Sequence, residues 1–248
     1  MSNWTFEEID RKISDDLRQH LPPVLFDAHA HLARVCDAPK APSGIWANGP
    51  DEITAEVWRR DVEQWAGQGR LAGGLLIPSP NCAGEPARIE TVNDHFFSRL
   101  SGDARLRGLA LVAPTLSPEK YESLLENPQF AGFKPYHVFS AHRPTFEAPL
   151  HTYLPEWAWR MADRHQLVIT LHMVREQALA DSGNLREIRR ACEKYPRARL
   201  ILAHAARGFH APNTVQGLPA LRGLQNVWFD SSAICEPAAL LAILNEFG

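Results

Sequence analysis

Short apolar strands alternate with helix-patterned segments along the chain, the strands are nearly continuous in their apolarity, and histidine or lysine recurs at their carboxyl ends. Together these three observations predict an α/β fold of the (β/α) TIM-barrel type. Alternation demands crossovers, and crossovers produce a parallel sheet. Continuous apolarity fits strands covered on both faces. Polar residues at the ends of several different strands converge only if the strands ring a common axis, with the site at the C-terminal mouth. A length of 248 residues, 45% of them hydrophobic, suits one such domain.

Residues 1–23 read as an N-terminal helical extension. Phe6, Ile9, Ile13 and Leu17 recur at helical spacing, Thr5 and Glu8 offer a capping box, and Pro22-Pro23 closes the segment. The barrel is assigned to residues 24–248. Its strands are expected at 24–31, 72–78, 107–113, 131–137, 167–173, 199–205 and 226–232, and its helices near 51–66, 86–100, 118–126, 155–165, 183–194 and 236–246. Two connections on the mouth side, 32–50 and 138–154, are long, rich in proline and without evident internal structure, as functional lids are.

A net charge of −3 and the absence of a basic stripe argue against nucleic acid or an anionic membrane as partner. The charged start "MSNWTFEEIDRKISDD" and the lack of a long apolar run point away from a leader or a span. Cys36, Cys82, Cys192 and Cys235 form no C-x-x-C pair, so a reducing cytoplasm is expected, with no disulfide framework. Small molecules are the expected partners, and nothing here opposes a homo-oligomer.

The stretch "LFDAHAHLAR" places His29 and His31 two apart, and on a regular strand residues 27, 29 and 31 share one face. His172 and His204 end two further strands. Four imidazoles at three strand ends suit zinc or a similar divalent ion, which lowers the pKa of bound water to about 7 and so supplies hydroxide. His31, His172 and His204 are each followed three positions later by an arginine, Arg34, Arg175 and Arg207, where composition alone predicts about one such pair. Guanidinium groups there suit a carboxylate-bearing substrate.

The series "FDAHAHL", "GFKPYH", "VITLHM", "LILAHAARG" and "NVWFDSSA" resembles the amidohydrolase superfamily, in particular its amidohydrolase-related branch of metal-dependent barrel hydrolases and decarboxylases. The resemblance implies His29, His31 and His172 as ligands of one divalent metal, zinc by ligand type, and His204 as a catalytic or second-metal group. Some superfamily members carry a carbamylated lysine on strand four, which would make Lys134 a bridge between two metals. In this branch one metal is usual, and Lys134, His137, Arg143, Arg175 and Arg207 are read as substrate-binding.

Family members place a decisive aspartate at the end of strand eight, whereas residues 237–247 here read as the helix after strand seven. Seven strands are therefore expected, with truncation the favoured explanation. Asp230 and Asp27 are the local carboxylates, Asp230 being the candidate catalytic base. The function expected is hydrolysis of a small carboxylate by metal-activated water. The alternatives are decarboxylation, or a barrel that binds without turnover. A phosphoesterase of the polymerase-and-histidinol-phosphatase type shares seven strands and His-x-His, but its Ser-Asp-Gly-like loop and late Asp-x-His are missing from this sequence.

Overall fold

The computed structural model describes residues 5–38, 47–80, 85–100 and 102–248. Cys82 and most of the proline-rich stretch within 32–50 lie outside them. All seven expected strands form: β1 (Leu25–Arg34), β3 (Leu71–Pro78), β4 (Leu106–Val112), β5 (Phe130–Pro135), β6 (Val168–Leu171), β7 (Arg199–Leu202) and β8 (Val227–Phe229). A two-residue strand, β2 (Glu52–Ile53), pairs antiparallel with the end of β1. Every other pairing is parallel, in the order β2-β1-β3-β4-β5-β6-β7-β8. The ring is not closed by hydrogen bonds, since β1 and β8 are not neighbours in the sheet.

The sheet nevertheless curls until its two ends meet. His29 on β1 and Asp230, just beyond β8, are 2.8 Å apart. Register places Leu75, Leu109, Lys134, Thr170, Ile201 and Trp228 on the inner face. Leu75, Ile77 and Leu109 cluster there, with Val168 and Ile201 against them. The outer face, carrying Leu76, Phe133, Ile169 and Leu200, is covered by helices α2 (Ala55–Ala66), α3 (Ile89–Leu100), α5 (Glu156–His165) and α6 (Ser182–Lys194), with the short α4 (Glu119–Glu122) between α3 and α5. The last helix is Pro237–Phe247. Among the described residues no helix is long and apolar enough to cross a membrane.

The first helix, α1 (Glu8–His20), departs from expectation in two ways. Its cap is built from Glu7, whose N–H donates to Asp10 at 2.9 Å, rather than from Thr5 and Glu8. Its apolar stripe also faces outward: Ile9, Ile13 and Leu17 are exposed while Ser14 is fully buried. The reason lies at the end of α2, whose last carbonyls lack partners within the helix. Ser14 Oγ donates to Gln64 and Trp65 carbonyls at 3.0 and 3.1 Å, and Arg18 Nε to Trp65 at 3.2 Å.

The 138–154 connection has more internal structure than the sequence suggested. It contains 3₁₀ turns at His137–Phe139, Thr145–Glu147 and Leu150–Thr152.

Candidate active site

The strand-one motif is shaped by an irregularity. Register along β1 shifts between Asp27 and Ala30, so two residues, Ala28 and His29, stand opposite Leu75 alone. An extra residue in a strand reverses the alternation beyond it. Asp27 consequently points outward, where its Oδ2 accepts from Trp58 Nε1 at 2.9 Å, while His31 shares the inner side with Ile77. The expectation that residues 27, 29 and 31 share one face is corrected by this bulge. Asp27 anchors α2 and orders the bulge, its Oδ1 accepting His29 N–H at 3.0 Å.

On β5, Gly132 adopts φ +147 and lies so close to β6 that a Cβ would stand 1.9 Å from Val168 O. Two residues later the fully buried Lys134 brings its Nζ to 3.2 Å from His29 Nε2. After β7 the backbone makes a left-handed turn through His204, Ala205, Ala206 and Arg207, with φ of 58, 50, 59 and 60°. For residues with a Cβ this costs roughly 1–2 kcal/mol each. The turn persists because its amides are held: His204 N donates to Asp230 Oδ1 at 2.9 Å and Ala205 N to Asp230 O at 2.7 Å, while Thr214 Oγ1 donates to Ala205 O at 2.9 Å. It turns His204 onto Ser232 and carries Arg207 over the Phe146 ring, 4.6 Å from its centre.

The result is one connected cluster from β1, β5, β6, β7 and β8. His29 lies 5.2 and 5.0 Å from His31 and His204 by ring centres, and His204 lies 5.0 Å from His172. His172 Nδ1 and His204 Nε2 are 3.1 Å apart. Tyr136 OH is 3.2 Å from His31 Nε2, and the buried His31 Nδ1 has no hydrogen-bond partner. Burial, reinforced by Lys134, depresses the pKa of His31 and takes His172 to about 3; burial and the neighbouring His29 lower His204. Neutral imidazole is the ligating form. Burial likewise brings Lys134 down to about 7, against the attraction of Asp230. Burial alone would raise Asp230, but bonds from His29, Ser232 and the His204 amide outweigh it and hold the carboxyl well below the usual range.

Among the described residues, the metal-type group whose atoms all lie within 4.8 Å of one another is His29, His204 and Asp230. The carboxylate's donors fall unevenly, three on Oδ1 and one, His29 Nδ1, on Oδ2. The three are His204 N, Ser232 N and Ser232 Oγ. The nitrogens turned away from it also fit a cation, because Lys134 Nζ already stands on His29 Nε2 in the place of one.

The substrate-binding candidates separate. Lys134 lies inside the cluster, and His137 borders it, its ring centre 6.3 Å from His172 and its Nδ1 3.1 Å from Thr145 Oγ1. Arg207 gives one N–H to Arg175 O at 2.8 Å, and its charge helps to lower both His137 and His172. Arg143 is exposed and donates to the carbonyls of Ser140 and His142 in its own loop. Arg175 pairs with Asp181 at 2.7 Å and Arg34 with Asp37 at 2.7 Å, so of the three patterned arginines only Arg207 has no carboxylate partner among the described residues. Two residues that sequence reasoning missed belong to the cluster, Tyr136 and Ser232. Each follows a singled-out residue, Lys134 or Asp230, by two positions, and that alternation was the available signal.

A family model for amidohydrolases matches residues 26–247. No curated protein matches the chain. Among solved structures it is similar to a probable 2-pyrone-4,6-dicarboxylic acid hydrolase from Acinetobacter baumannii with citric acid bound, at 16% identity over 90% of this chain and 76% of that one, with a TM-score of 0.55. It is also similar to a 2,6-dihydroxybenzoate decarboxylase from Rhizobium, at 14% identity over 90% and 85% of the two chains, with a TM-score of 0.55. At these identities the likeness is one of fold.

Proposed function

The chain belongs to the amidohydrolase family, and from that premise we propose that it is a metal-dependent hydrolase acting on a small carboxylate-bearing molecule. The observation that carries the reading is the meeting of neutral imidazoles from three strands beside a carboxylate that takes four donors. In this reading His29, His31 and His172 hold one divalent ion, zinc by ligand type. Such an ion, when bound, polarises a carbonyl and makes water nucleophilic near neutral pH.

The chain's own residues supply the rest. Asp230 accepts the Nδ1 proton of His29 and so keeps the Nε2 lone pair turned inward, as partners of metal-binding histidines commonly do. His204 gives its Nδ1 proton to Ser232 and offers Nε2 as a proton acceptor. Tyr136, whose burial raises its phenol and keeps it protonated, steadies His31. Arg207, resting on Phe146 with donors to spare, binds the substrate carboxylate.

Metal content and turnover on lactone and carboxylate panels test this reading. Wild-type protein is expected to hold about one zinc per chain and His29→Ala very little, while Arg207→Met is expected to raise KM about tenfold for a carboxylate substrate, as loss of a charge-assisted pair would. A metal-free, fully active wild type, or an unchanged KM in Arg207→Met, would refute it. Release of carbon dioxide in place of a hydrolysed product would assign the chemistry to the decarboxylases of the same family.

A further inference from the structure

Side chains from opposite ends of the sheet meet at a single hydroxyl. Ser232 Oγ lies 2.8 Å from His204 Nδ1, 3.1 Å from His29 Nδ1 and in contact with Asp230 Oδ1. An ionised carboxylate can only accept, so the one hydroxyl proton goes to Asp230. The oxygen is then an acceptor toward both imidazoles, and the nitrogens facing it must carry the hydrogens. Further contacts agree: His29 Nδ1 meets Asp230 Oδ2 at 2.8 Å, and His204 Nδ1 meets the Ser232 carbonyl at 3.0 Å. With Nδ1 protonated on both rings, both Nε2 atoms carry lone pairs. His29 turns its lone pair to Lys134 Nζ and His204 turns its own to His172 Nδ1, which must then be the donor.

We propose that Ser232 is a positioning residue: its hydroxyl and amide orient Asp230 toward the His29 imidazole and the His204 backbone amide, while its oxygen accepts from Nδ1–H of both rings across the seam between β1 and β8, fixing both in the Nδ1–H tautomer. The inference rests on the metal-site reading for its purpose, because the fixed tautomer leaves His29 Nε2 free to ligate. Four bonds tie the residues after β8 to the turn after β7, from His204 N, Ala205 N and His204 Nδ1 to Asp230 and Ser232, and Asp230 N adds a bond to the end of β7, donating to Leu202 O at 3.3 Å.

The test compares wild type, Ser232→Ala and Ser232→Thr as full-length chelator-treated protein, reading imidazole tautomers by ¹⁵N-histidine NMR at pH 8 and then zinc affinity by competition with a chromophoric chelator. In wild type both rings are expected to carry the proton on Nδ1. Ser232→Ala is expected to move His204 toward the Nε2–H form and to weaken zinc by about tenfold, with Ser232→Thr restoring both. An alanine variant with wild-type imidazole shifts, and zinc affinity within about twofold, overturns the proposal. Wild type that takes up no zinc is a separate result: it sinks the metal reading, while the tautomer comparison still decides the role of Ser232.

Discussion

The two ends of the barrel bury polar groups in opposite ways. At the floor, where strands begin, buried amides finish on main chain. Asn226 Nδ2 reaches the carbonyls of Cys192, Tyr195 and Ala198 at 3.1–3.2 Å, and Gln129 Nε2 those of Leu100 and Asp103. At the mouth, where strands end, Lys134, His29, Asp230 and His204 finish largely on one another or on Ser232, and His31 Nδ1 finishes on nothing. Main-chain carbonyls cannot change protonation state, so the floor has one arrangement. A network of titratable side chains can hold or pass protons, and its cost is accepted where chemistry is done. The division follows the general rule that barrel floors carry stability and barrel mouths carry function.

The largest effect expected on this contrast is at Asp230. Asp230→Asn keeps the shape but puts an amide where the carboxylate takes four donors, so the His29 tautomer is lost. Activity should fall on the order of 10²-fold, the upper range for removing the partner of a metal-binding histidine, with far-ultraviolet circular dichroism unchanged. A variant within tenfold of wild type in kcat/KM would break the functional half of the comparison. Asn226→Ala is the mirror experiment at the floor. Leaving three carbonyls without their shared donor should cost about 2–3 kcal/mol in urea unfolding, with zinc affinity unchanged. Loss of zinc binding there would show that the two ends are not separable.

These two residues also show what could be read from the sequence and what could not. The strands were legible because each is an apolar run with turn residues at both ends, and the histidine cluster because it sits at those runs' carboxyl ends. Asp27 was misplaced because a bulge leaves no mark in an alternating pattern. Arg34 and Arg175 share the spacing of Arg207, yet close partners Asp37 and Asp181 claim them. Ser232 and Tyr136 carry only a weak mark, their place two positions after Asp230 and Lys134, since a hydroxyl becomes part of a site only through the groups the fold sets beside it. The outward stripe of α1 was hidden for a related reason: the unmet carbonyls of α2, not apolar periodicity, decide which face docks.

Lys134 sharpens the contrast through pH. Burial takes its amine from an ordinary 10.5 to about 7, so between those values the unfolded chain binds a proton that the folded chain does not. Stability of chelator-treated protein should therefore rise with pH across that window, by about 2 kcal/mol between pH 7 and 9. Lys134→Met should flatten the rise in urea titrations at those two pH values. A slope that survives the substitution would mean that another group dominates the mouth.

The smallest effect belongs to the floor, and it falls in the acid range rather than the alkaline one. Asp103, in the turn before β4, is lowered from 3.8 to about 2, chiefly by its hydrogen bond to Arg105, with Arg59 also pairing at 3.1 Å. A carboxylate depressed in the folded state contributes stability above its unfolded pKa and loses it as pH falls toward the folded one. The carboxylate is 27% exposed and Arg105 is 58% exposed, so solvent screening reduces the contribution to about 1 kcal/mol. Asp103→Asn should therefore lower stability by that amount at pH 7 and by almost nothing at pH 2, leaving the alkaline slope assigned to Lys134 intact. If the substitution altered the slope between pH 7 and 9 instead, charge at the floor would be coupled to the mouth through the sheet, and the two ends would have to be treated as one electrostatic system.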